Sequence, residues 1–234
     1  MRLIMFNTLM GVAAGGALLL VPHLWAVLAG HRTILPASRR PPSAAGWAAT
    51  FGILGGILAP LGLVMTVWHP LAVAAAHVDT LFGEPCLMLG VVLLAAAWYL
   101  RRQRDGWTLD LDRLRDDLAP VTWLLAMLGL VLAWCAAAIL RFTAIGAAPA
   151  EEPITGLLHD LPWVENTFFV VLYGLAALGC LSAPAAVRGH DVAGRLLYWS
   201  WTVSGALLLL FSAMNFYTHT GMLINLTTGT TYRW

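Results

Sequence analysis

Two short stretches concentrate side chains that can do chemistry: HVDTLFGEP at residues 77–85 and HDLPWVEN at 159–166. Each sets a histidine, an aspartate and a glutamate ahead of an apolar run. Imidazole nitrogen together with carboxylate oxygen suits first-row transition metals, whereas oxygen-only sets suit magnesium or calcium. A third stretch, NFYTHTGMLIN at 215–225, adds Asn215, Tyr217 and His219. The expected metal ligands are His77, Glu84, His159, Glu165 and His219. Three or four of them at about 2 Å would hold Cu, Fe or Zn. Asp79 and Asp160 would orient metal-bound imidazoles, and Tyr217 would serve as a hydrogen-bond donor or redox-active side chain. Asn215, His69 and Asn7 complete the polar surroundings. Haem held axially by two of His77, His159 and His219 is the second choice of cofactor.

Capping accounts for part of this pattern without any ligand. Asp79 and Asp160 fit N-cap positions ahead of apolar helices, and Glu84 and Glu165 complement positive helix ends. The glutamates lie further into the apolar runs, where an ionisable group is expensive enough to mark function. Residues seven apart on one helix stand about 10 Å apart along its axis. His77 and Glu84 can therefore share a metal only if the helix starts near Asp79 and leaves His77 on the loop.

The elements that must position these groups follow from composition. The chain has 234 residues, 60% hydrophobic and only 11% charged, with a mean hydropathy of +0.78. A soluble domain carries about a quarter charged residues, so the sequence predicts an all-α, polytopic transmembrane bundle in one integral membrane domain. Six spans are predicted, at about 3–29, 46–68, 82–100, 120–142, 165–185 and 193–216, with a cytoplasmic loop at about 101–119. The RLRDD pattern in that loop predicts a solvated connector able to form a short amphipathic helix. The first run is long and has no clear A-x-A site after it, which argues against a signal peptide. Cys86, Cys135 and Cys180 are scattered through apolar runs and read as packing residues.

Every one of the thirteen basic residues is arginine. Arg32, Arg39 and Arg40 fall in the first loop, Arg101, Arg102, Arg104, Arg113 and Arg115 in the third, and Arg188 and Arg195 in the fifth. The alternate loops and the tail hold only Arg141 and Arg233, so these three loops are predicted cytoplasmic and both termini extracytoplasmic. Arg2 is the one dissent. On this orientation the polar segments share the outer side, and Glu84, Glu165 and His219 are expected within roughly 10 Å of one another inside the bundle. Asp79 to Glu84 and Asp160 to Glu165 are both five apart, with Phe82 and Trp163 between them. That likeness suggests a duplication relating spans two and three to spans four and five.

At FGEP (82–85) and NFYTHTGMLIN the chain resembles an uncharacterised family of prokaryotic multi-span proteins, a domain of unknown function. The resemblance covers most of the spans. It implies a membrane location and carries no catalytic residue.

Three functional readings follow. The first is an outer-side His/carboxylate site that binds a transition metal, with an oxidoreductase among the activities it would allow. The second is a proton- or cation-coupled transporter loading at Glu84 and Glu165. The third is a non-catalytic subunit of a membrane complex. Lipid is the expected surrounding, with a homo-oligomer or complex partner as the protein contact. No basic-aromatic cluster points to nucleic acid.

Overall fold

The computed structural model describes residues 6–37, 42–102 and 109–233. Six long helices account for most of them: α1 (Phe6–Leu28), α2 (Ala44–Trp68), α3 (Ala72–Arg102), α4 (Leu111–Phe142), α5 (Pro162–Val187) and α6 (Asp191–Thr228). A 3-10 turn, Thr155–Leu158, lies between α4 and α5. All six helices are long and apolar enough to cross a membrane. No strand occurs among the described residues.

α2 pairs most closely with α3, α4 with α5, and α1 with α6, while α5 against α6, α1 against α2 and α3 against α4 close the ring. Small residues permit the closest approaches: α1 and α6 meet backbone to backbone at Gly15 and Gly205. In lipid, where burying apolar surface gives little drive, such contacts and interhelical hydrogen bonds hold helices together.

One interhelical bond follows directly from a proline. Pro85 has no N–H, so the carbonyl of Leu81 loses its intrahelical donor. The Tyr173 hydroxyl, on α5, donates to that carbonyl at 2.7 Å. Around it Phe82 packs edge-on against Phe169 and Tyr173. Tyr173→Phe is expected to leave the carbonyl buried and unpaired, at a cost of about 1–3 kcal/mol. Thermal unfolding in detergent checks this, and an unchanged midpoint would show that the bond contributes nothing.

The structure lengthens and relocates several expected elements. α6 runs to Thr228 rather than ending near 216. At 1.5 Å per residue its 38 residues span about 57 Å, well beyond a hydrocarbon core of about 30 Å. Within the expected loop at 101–119, residues 103–108, including Arg104, lie outside the described residues; from Leu111 onward the chain is already the start of α4. There Asp110 caps the helix, and Arg113–Asp117 and Arg115–Asp112 pair along it. α3 begins at Ala72, before His77, and is kinked at the non-helical Ala75. The suggested duplication is not shown. HVDTLFGEP is helical throughout, whereas His159 follows the 3-10 turn and Asp160 lies in the turn before α5.

Candidate functional site

The expected ligand set is not brought together: among the described residues no group of three His, Cys, Asp or Glu side chains could hold a metal ion. His77 reaches the Ala144 carbonyl with Nε2 at 2.8 Å, and His159 reaches the Ala148 carbonyl with Nδ1 at 2.8 Å. Both imidazoles thus engage the backbone of the α4–α5 connection. Asn166 pins the same connection, accepting from Ile145 N–H and donating to the Gly146 and Pro162 carbonyls.

The aspartates also differ from expectation. Asp79 is 0% exposed and accepts the Leu71 N–H at 2.8 Å, tying down the turn ahead of α3. Its neighbouring imidazole is His69, not His77. Asp160 is exposed, and Leu161, without a side-chain bond, is the N-cap of α5. Glu84 is half-buried on α3, within electrostatic reach of Cys135 on α4. Tyr217 is exposed and lies on a surface groove with Pro153 and Tyr232.

A different polar centre forms where α1, α6 and the connection converge. Glu152, only 7% exposed, receives the Thr218 hydroxyl at 2.5 Å and lies 3.4 Å from Nε2 of His219. The other ring nitrogen of His219, Nδ1, is 3.2 Å from Oγ1 of Thr8. Asn7 accepts the Thr8 N–H. Glu165 lies beside the Ala148 backbone and within electrostatic reach of Glu152. Thus His219 meets Glu152 and Glu165 lies within its electrostatic reach, while the charge neighbour found for Glu84 is a thiol on α4.

The extension of α6 makes this centre. The absence of a side chain at Gly221 lets Pro153 pack against the helix, where a Cβ would come within 2.4 Å of the proline ring. Asn225 then donates to the Glu151 and Tyr232 carbonyls and accepts from Tyr232 N–H and Thr230. Glu152 is held between these two fixed points.

Beneath the centre the bundle is not solid. A cavity of about 130 Å³ is bordered at its polar end by Asn7, Thr8 and Asn215, and deeper by Ala14, Phe82, Cys86 and Ala176. A second, of about 150 Å³, is lined by Trp25, Phe51, Tyr99, Leu114 and Leu125. Leu89 and Trp201 border both cavities. Trp201 is held across the bundle by its indole N–H, which donates to the Ala176 carbonyl at 3.0 Å. The Asn215 carboxamide oxygen is buried without a hydrogen-bond partner.

A family profile, described as a protein of unknown function (DUF981), matches residues 1–222. The chain belongs to this family. No curated protein and no solved structure matches it. Family membership assigns no reaction to this DUF981 protein. Sequence reasoning passed over Glu152 and Thr8. One signal was available for the first: Glu151 and Glu152 are the only acidic residues between Asp117 and Asp160. For Thr8, an ordinary residue near the start of an apolar run, there was none.

Proposed function

We propose that this protein binds a lipid-soluble molecule inside the membrane. The apolar part lies along the central cavities and the polar head lies beneath Glu152 and His219, at the extracytoplasmic end. The observation that carries the reading is the cavity lined by α1, α3, α4, α5 and α6, apolar except at Asn7, Thr8, Cys86, Tyr173, Cys180, Ser204, Ser212 and Asn215. Apolar cavities of this size stay dry and accept apolar guests. Binding sites of this kind combine apolar walls with a few polar groups that fix orientation. The outward placement of the polar end rests on the arginine distribution. Walls so poor in polar groups do not favour a conducting path for protons or cations.

Photocrosslinking with a diazirine-bearing acyl chain tests the reading. Label is expected on cavity residues such as Ala14 and Ala176, and Ala14→Phe or Ala176→Phe is expected to abolish it. Label confined to residues facing outward, such as Trp134 and Leu210, would reject the reading. Elemental analysis of the same protein, grown with Cu, Fe and Zn supplied, tests the transition-metal reading of the His/carboxylate end. Near-stoichiometric metal lost in His219→Ala would support it, and background metal would reject it.

A further inference from the structure

We infer that Thr8, His219 and Glu152 form a nucleophile, base and orienting carboxylate that act on an oxygen ester of a long acyl chain. The inference rests on the cavity reading above, since the chain must lie in the cavity that Thr8 borders. Three elements distant in sequence supply the three groups: the Glu152 carboxylate lies at ion-pair distance from Nε2, 3.4 Å, and Nδ1 shares a hydrogen bond with the Thr8 hydroxyl at 3.2 Å. A nucleophile within reach of a base, itself oriented by a third group, is the arrangement that hydroxyl catalysis requires. Thr8 is 3% exposed and borders the cavity, so its hydroxyl, which also reaches Asn7 Oδ1 at 3.5 Å, is shielded from bulk water beside the space an apolar guest would fill. The Asn215 carboxamide, whose oxygen is buried without a partner, borders the same space, and a turn about its last torsion would bring its N–H toward a developing oxyanion.

The step balances without a further reactant beyond water. Thr8 Oγ1 attacks the ester carbonyl carbon and its proton passes to His219 Nδ1, the imidazolium being stabilised by Glu152. The bond from the carbonyl carbon to the alcohol oxygen then breaks, and Nδ1 returns the proton to the leaving alcohol. Water, entering at the polar end that the departing alcohol vacates, next attacks the acyl-threonine, giving its proton to Nδ1, and Thr8 leaves with that proton. The net change is ester plus water to carboxylic acid plus alcohol. The ester can be a free acyl ester or a membrane glycerolipid.

Purified protein in detergent is incubated with p-nitrophenyl decanoate, and in parallel reconstituted in phosphatidylglycerol vesicles. Release of p-nitrophenol and a single decanoyl adduct on Thr8 by mass spectrometry are expected. Fatty acid release from the vesicles would name the lipid as a source, and its absence the free ester. Thr8→Val and His219→Gln are expected to lower release by roughly 10²–10⁴-fold, the range general-base catalysis contributes, while Thr8→Ser retains the adduct. A structural pin between α1 and α6 would give none of these differences. Crosslinking as above, run on the wild-type protein alongside these assays, separates the two ideas. A labelled cavity without adduct or Thr8-dependent release in wild type overturns the catalytic inference alone. An unlabelled cavity in wild type overturns both.

Discussion

Gly90→Val is expected to destabilise the bundle by about 3 kcal/mol, the upper end for forcing atoms into a packed interior. On α3, a Cβ at Gly90 would lie 2.4 Å from the backbone nitrogen of Ala59 on α2. Real Cβ atoms do not approach backbone so closely, and backbone cannot swing aside as a side-chain tip can. The seam has a second tight point seven residues away. A Cβ at Gly83 would meet the Met65 Cβ at 2.6 Å, and one at Gly62 would meet the Leu87 nitrogen at 2.6 Å. Relief at one point therefore strains the other, and the helices must separate along their length. The midpoint of thermal unfolding in detergent should fall by roughly 6–12 °C. Gly56→Ala is the control, since nothing lies within 4 Å of a Cβ there. It should be neutral or stabilise by about 0.5–1 kcal/mol through lost backbone freedom in the unfolded chain. Equal effects from the two substitutions would show that the α2–α3 seam is not held by close approach.

Asn225→Leu is expected to release the cap formed by the α4–α5 connection and the tail while leaving the spans folded. The carboxamide uses its full bonding capacity, two donors and two acceptor sites, on the Glu151 and Tyr232 carbonyls, Tyr232 N–H and Thr230. At about 1 kcal/mol per net bond the loss is on the order of 3–4 kcal/mol, concentrated in the connection and tail. Asn225→Asp should be nearly as damaging. It keeps the acceptor bonds but sets a carboxylate against two carbonyl oxygens. Hydrogen exchange should then accelerate at residues 149–157 and 229–233, with the middle of α5 unchanged as reference. Because Glu152 adjoins Glu151, photocrosslinking in the cavity should weaken as well. Protection that persists in both variants would mean the cap is held by Pro153 packing at Gly221 instead.

The sequence by itself determined the class, the number of spans and the clustering of polar residues near the starts and ends of particular helices. These are properties of local composition: an apolar run of about 20 residues must be helical in lipid, since no water satisfies its backbone. Pro85 in FGEP lacks an N–H, and once the third helix starts at Ala72 rather than near 82, the Leu81 carbonyl is one that some other group must satisfy. Which group does so, Tyr173 on α5, depended on the arrangement of helices. The same limit applied to the site. His77 and His159 carry the right chemistry for ligands, but each bonds a carbonyl of the connection, at Ala144 and Ala148. Hydropathy ends a span where composition turns polar, near 216. α6 nevertheless continues to Thr228, with the connection and tail packed against it and bonded to Asn225. Glu152 became the centre through contacts with Thr218 and His219, and Thr8 through a contact spanning 211 positions. A side chain's type is fixed locally, but its protonic partners are fixed by which backbones can approach. In this bundle, small residues and one long helix decided that.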